Sequence, residues 1–180
     1  IQPSVNSRLK ATLKHILYPL QNSRSCSQIP QLNPVTRTTN GELEMAKFTH
    51  EAEHTASKEE IWNWYDSKGA FRRIMPEWEG IIPLNAGALE NDDETIFKVS
   101  LGPIKQKWVA KHHSVIPGEQ FADRMMRGPF GAWNHVHKFE SVSENVTKIL
   151  DDVEYKLPVH FLTGWSAGIT VLPRMRQMFK

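Results

Sequence analysis

The amino-acid sequence predicts an α+β domain built on an antiparallel sheet, in the order strand, two short helices, six strands, helix. Three observations predict it. Apolar and polar residues alternate with period two over 48–55, the mark of a half-buried strand. A helix-capping sequence follows at once. From Gly80 onward, short apolar segments are separated by turn residues at intervals too short for crossover helices, which forces neighbouring strands to run antiparallel.

In the first strand Phe48, His50, Ala52 and His54 share a face opposite Thr49, Glu51, Glu53 and Thr55. Ser57-Lys58-Glu59-Glu60 is a capping box: the serine side chain satisfies a backbone N–H of the first turn, and Glu60 reaches back to the cap. The helix it opens carries Ile61, Trp62 and Tyr65, and Gly69 breaks it. Ala70 to Met75 forms a second short helix, stopped at Pro76. Strands are then expected near 80–85, 94–101, 105–116, 119–127, 132–141 and 146–157. Asn85–Asp93, Gly102-Pro103, Pro117-Gly118, Gly128-Pro129 and Ser143-Glu144-Asn145 separate them with good turn chemistry. After Pro158 the chain is rich in small and apolar residues, and from Pro173 it reads as a helix, since proline suits a first helical turn.

The 180 residues hold 22 Lys+Arg and 20 Asp+Glu, with 39% hydrophobic residues, enough for one domain with a core. The charge is unevenly placed. Residues 1–44 hold five basic and two acidic residues, which leaves 17 and 18 for the remaining 136. The basic balance therefore belongs to the first quarter and gives no support to nucleic-acid binding by the rest. Residues 1–44 are expected to be an extension outside the fold, disordered or non-native, with Met45 resembling a natural start. The alternative is a transit peptide, suggested by an acid-poor, Ser- and Arg-containing leader. Residues 45–180 are the expected domain, cytoplasmic, or organellar if the leader is a transit peptide. The single cysteine, Cys26, excludes a disulfide framework and a cysteine-based zinc module. No apolar run approaches membrane-spanning length.

Strand alternation places Trp133, His135, His137 and Phe139 on one face, and Ile149, Asp151, Val153, Tyr155 and Leu157 on another. Trp108, Ala110 and His112 share a face, as do Phe121, Asp123 and Met125. The apolar faces are thus dotted with His112, Asp123, His135, His137 and Asp151. A lone buried carboxylate is costly, so these groups must pair with one another or open onto a wet cavity. His112 and His113 point to opposite sides of their strand, and Arg72-Arg73 and Lys105–Lys111 read as solvated faces.

The segments Trp108-Val109-Ala110-Lys111-His112, Phe121-Ala122-Asp123, Gly128-Pro129-Phe130-Gly131-Ala132-Trp133-Asn134-His135-Val136-His137 and Asp151-Asp152-Val153-Glu154-Tyr155-Lys156-Leu157-Pro158 resemble the SRPBCC superfamily. These are the START/Bet v1-like proteins, related to polyketide cyclases. More narrowly, the resemblance is to the SRPBCC domain found beside an epimerase-like Rossmann domain, and it covers roughly Lys47 to Lys180. It implies a helix-grip fold, in which a curved antiparallel sheet wraps around a long C-terminal helix, with a hydrophobic cavity between them. Against that pattern, the last helix stops early at Lys180, as if truncated. No G-x-G-x-x-G follows a strand, so a dinucleotide site is not expected in this chain, and no cofactor is assigned.

Three chemistries compete. His135-x-His137 invites a metal, but Glu140 lies on the opposite face and further ligands at set spacing are missing, so no metal is assigned. A cyclase- or dehydratase-like enzyme would use His135, His137 or His112 with Asp123 or Asp151 as an acid–base pair. The preferred reading is a cavity that binds a small hydrophobic or amphipathic ligand. Trp62, Trp78, Trp108, Phe121, Met125, Trp133, Phe139 and Tyr155 would line it, and the Asp/His set would orient the ligand. The expected partners are that ligand and a Rossmann domain in a longer protein, with no nucleic acid and no membrane span.

Overall fold

In the computed structural model, residues 31–32, 45–75, 80–101 and 104–157 are described. They form strands β1 (Gln31–Leu32) and β2 (Ala46–His54), helices α1 (Lys58–Tyr65) and α2 (Ala70–Ile74), and strands β3 (Ile82–Asn85), β4 (Glu94–Leu101), β5 (Ile104–Ile116), β6 (Gln120–Arg127), β7 (Ala132–Ser143) and β8 (Val146–Lys156). All eight strands belong to one antiparallel sheet in the order β1-β2-β8-β7-β6-β5-β4-β3. Strands β3 to β8 are a meander. The sheet is extended when β2, formed before the helices, pairs with β8.

Local chemistry explains the elements between β2 and the meander. Ser57 accepts from the Glu60 backbone N–H, and the Glu60 carboxylate accepts from the Ser57 N–H at 2.9 Å, so the capping box is complete. Gly69 takes φ +79, a left-handed conformation open to glycine without strain, and this lets the chain turn from α1 into α2. No helix among the described residues is long and apolar enough to cross a membrane.

The seven strands expected from alternation are present, with ends shifted by a few residues. β1 is additional. It lies within the segment read as an extension, where no alternation announces a strand, and it pairs Gln31 with Thr49 and Leu32 with Phe48 on the outer side of β2. Two residues carry too little pattern to be read locally, and the pairing is set by the backbone groups that β2 presents at its edge. The helix expected from Pro173 and the lining residue Trp78 lie outside the described residues.

One face of the sheet carries two hydrophobic clusters. The first joins Phe48, Phe97, Trp108, Trp133, Val153 and Tyr155, with Met125 and Phe130 packed against it. The second joins Ile61 and Trp62 of α1 to Phe121, Phe139 and Ile149. Trp62 meets Phe121 and Phe139 edge-on at 6.4 and 5.9 Å, which fixes the helix over that end of the sheet. The reverse face is charged, with Lys47 and Lys138 flanking Asp152.

Candidate functional site

Between the two clusters, on the same face, lies a band of imidazoles and carboxylates. Its members come from five adjacent strands, and the register brings them into rows. His50 of β2, Asp151 of β8 and His137 of β7 are direct cross-strand neighbours. One step along, His135 of β7, Asp123 of β6 and His112 of β5 form the next row. A register shift between Val109 and Ala110 sets the β5–β6 alignment that puts His112 opposite Asp123.

Asp151 is the hub. His135 Nε2 donates to its Oδ1 at 3.2 Å. His137 Nδ1 lies 2.7 Å from the same oxygen but off the line of a good hydrogen bond, so this contact is best described as an ion pair. His50 Nδ1 is 3.6 Å from Oδ2. On the other side, Asp123 Oδ2 lies 3.7 Å from both His135 Nδ1 and His137 Nε2. The two imidazoles are thus sandwiched between two carboxylates, with ring centroids 3.8 Å apart. Phe121 stacks on His137 at 4.2 Å, and Tyr65 from α1 leans over it at 6.0 Å. The four central side chains are only 12–19% exposed.

The electrostatics follow from this packing. Burial alone would lower the His137 pKa, but Asp123 and Asp151 outweigh it and raise it to about 9. Burial opposes ionisation of Asp151, yet contacts from His135, His137 and His50 hold its carboxyl well below the usual range. Asp123 is lowered in the same way, against burial, by His137, His135 and His112. His112 behaves differently: burial lowers its pKa against the pull of Asp123, and its Nε2 lies 3.2 Å from the Thr95 hydroxyl. Burial pushes the Tyr65 hydroxyl far up, and the Asp151 charge adds to that. At neutral pH the centre of the band is therefore two carboxylates around a His137 imidazolium.

These shifts predict a single stability maximum near pH 6.5 in metal-free protein. His137 binds its proton more tightly when folded, so its contribution is complete below about 6.5 and is lost as pH rises through about 9. His112 and His54, both lowered chiefly by burial, cost stability as pH falls below 6.5. The two aspartates add to the loss as pH falls through the carboxylate range. Urea midpoints from pH 3 to 10 should trace this dome, with an alkaline slope approaching about 1.4 kcal/mol per pH unit. His137→Gln should flatten the alkaline limb. A limb of unchanged slope in that variant would remove His137 as its cause.

Of the expected catalytic residues, the structure brings His135, His137, Asp123 and Asp151 into contact, and places His112 at the end of their row. Of the expected lining residues, Trp62, Phe121 and Phe139 flank the band on one side, and Trp108, Met125, Trp133 and Tyr155 on the other. The sequence marks neither His50 nor Tyr65 as a site residue. Alternation puts His50 on the face of Phe48, but only the pairing of β2 with β8 brings it to Asp151.

No family model and no curated protein matches this chain. Solved structures do. The crystal structure of norcoclaurine synthase from Thalictrum flavum, in complex with dopamine and hydroxybenzaldehyde, aligns with 84% of this chain and 92% of its own, at 18% identity and a TM-score of 0.55. A Streptomyces aromatase/cyclase aligns with 75% of this chain and 82% of its own, at 14% identity and a TM-score of 0.52. The fold is Bet v1-like. It is the fold implied by the SRPBCC resemblance. The nucleoside-diphosphate sugar epimerase of Corynebacterium glutamicum is 28% identical over 63% of this chain, with a TM-score of 0.50. This chain spans about a quarter of that protein's length, since the match covers 25% of it.

Proposed function

We propose that this Bet v1-like chain binds a small, largely apolar ligand against the face that bears the band, with the ligand's polar group held by the imidazoles and carboxylates. The observation that carries this reading is the position of a charged, mostly buried Asp/His array between two aromatic clusters. A site of apolar walls with a few convergent polar groups suits an amphipathic molecule. Two more donors support it: Trp108 Nε1 and Tyr155 Oη are buried with no hydrogen-bond partner among the described residues, so a ligand oxygen would relieve both.

Melting temperature and tryptophan fluorescence in a panel of fatty acids, quinones and phenolic polyketide-like compounds test the reading. A true ligand at a hundred times its Kd stabilises by about 2.7 kcal/mol. A panel in which nothing shifts melting would overturn it. Tyr155→Phe should change the stability of the free protein by less than about 1 kcal/mol, because the hydroxyl it removes makes no bond there, while weakening ligand binding. Unaltered affinity would take Tyr155 out of the binding site.

A second reading is cyclase- or dehydratase-like catalysis, and the carboxylate-flanked His137 favours it. A protonated imidazole in this setting is suited to donate a proton or a hydrogen bond to a developing enolate. His137→Gln protein that stays folded and retains ligand-dependent turnover would sink that role. The similarity to part of a sugar-nucleotide epimerase supports reading the chain as the ligand-binding module of a larger epimerase-like protein. The flanking reading frame tests this, since a strand followed by G-x-G-x-x-G is expected there.

A further inference from the structure

We propose that Asp123, His135 and His137 form a three-ligand site for a divalent first-row transition metal ion, with Asp151 orienting both histidines from behind. The proposal does not depend on an organic ligand. It rests on where each nitrogen points.

Asp123 Oδ2, His135 Nδ1 and His137 Nε2 all lie within 4.8 Å of one another, and the carboxylate oxygen is 3.7 Å from each nitrogen. An ion about 2.1 Å from each would want its ligands roughly 3–3.5 Å apart. Drawing the Asp123 oxygen in by a few tenths of an ångström meets that for both of its pairs. Side-chain rotations that bring the two nitrogens, already within 4.8 Å of each other, closer complete the set on a sheet whose backbone already sets the register. The histidines are two apart on β7 and so share a face, and Asp123 is the direct β6 partner of His135.

The second observation is independent of the first. Each imidazole turns one nitrogen to Asp123 and the other to Asp151: His135 uses Nε2 for Asp151 and His137 uses Nδ1. The Asp151 oxygen can only accept, so His135 Nε2 carries a hydrogen, and the negative charge 2.7 Å from His137 Nδ1 favours a hydrogen there too although that contact is bent. A metal ion would displace the extra proton of His137, and in the neutral rings the lone pairs then sit on His135 Nδ1 and His137 Nε2, the two atoms that face Asp123. A carboxylate behind each ligating histidine is the arrangement that fixes tautomer and ring orientation at metal centres. His50 in turn holds the far oxygen of Asp151. Glu140, the carboxylate closest to the histidines in sequence, is instead paired with Lys148 at 2.8 Å on the exposed side. The fitting carboxylate comes from the neighbouring strand, which is why spacing along the chain does not reveal the ligand set. Two imidazoles and one carboxylate suit zinc, ferrous iron and their neighbours, and three protein ligands leave coordination positions for water or a ligand oxygen.

Chelator-treated full chain, titrated with Co2+ and followed by visible absorption and then by Zn2+ competition, tests the proposal. One ion per chain is expected, with d–d bands that Zn2+ displaces. Asp123→Asn and His135→Gln should each abolish stoichiometric binding, and Asp151→Asn should weaken it 10–100-fold. His113→Gln should change nothing, because His113 lies on the reverse face and bonds Asn134 at 2.8 Å. X-ray absorption of the zinc-loaded wild type should show two imidazoles in the coordination shell, a measurement that stands even if a variant fails to fold. Absence of saturable binding, binding undiminished in both Asp123→Asn and His135→Gln, or a shell without imidazole scattering would each overturn the site. None of these outcomes depends on finding an organic ligand, so the metal and ligand readings fail separately.

Discussion

Replacing Asp151 with alanine is expected to lower the stability of the metal-free protein by about 3–5 kcal/mol, the cost of removing one partner from a buried ion pair and leaving the other charge behind. Asp151 contacts three imidazoles, so its loss strips His137 of its nearer counter-charge, at 2.7 Å, and leaves His135 Nε2 without its acceptor. The protein then has two poor options: keep the His137 proton against Asp123 alone, or release it and forgo the energy that favoured it when folded. Urea unfolding at pH 7, with an unchanged m-value, measures the loss. Asp151→Asn keeps an acceptor oxygen while removing the charge and should fall between wild type and alanine. A loss below about 1 kcal/mol for the alanine variant would mean that water already solvates the band.

Phe48→Ala is expected to cost a similar amount, about 3–5 kcal/mol, for a different reason. Phe48 is 0% exposed, and its strand partner Val153 is also 0% exposed. The phenyl ring anchors β2 to the cluster of Trp133 and Tyr155, and its removal leaves a cavity in a well-packed region. The same change should loosen β2 as a unit. Amide exchange over residues 46–54 should rise more than exchange in β5 and β6, and the His50–Asp151 contact should weaken with it. Uniform acceleration across the sheet would show that β2 has no separate opening.

The strands and their faces were legible because period two is a local signal, and because Pro117-Gly118 and Gly128-Pro129 mark the reversals plainly. Faces alone predicted that His135, His137, Asp123 and Asp151 would point inward from three strands. Which of them touch is another matter, since that depends on register. Register here is set by non-local pairings and by the shift at Val109/Ala110, neither of which has a mark in the chain. His50 shows the limit most clearly: Thr49 and Asp152, one step away on the reverse face, meet at 2.8 Å across 103 positions. In the sequence Tyr65 is one apolar position of a helix. Its place above His137 depends on how α1 docks, which Trp62 decides through Phe121 and Phe139. Ala122 is 0% exposed although alternation puts it on the polar face. It is small, and its cross-strand neighbours Val136 and His113 flank it on that face.

The pairing of β2 with β8 also has a consequence during synthesis. A ribosome adding 5–20 residues per second takes roughly 5–20 s to travel from β2 to its partner. Through that interval Phe48 has no Val153 to pack against, His50 has no Asp151, and the backbone edge of β2 is open to any other strand it meets. The nascent chain therefore carries a sticky, unfinished margin until β8 emerges, and the His/Asp band is completed at the same moment that this margin is sealed. Mutations that slow the arrival or docking of β8 should thus show first as aggregation of newly made chains rather than as a lower melting temperature of the finished protein.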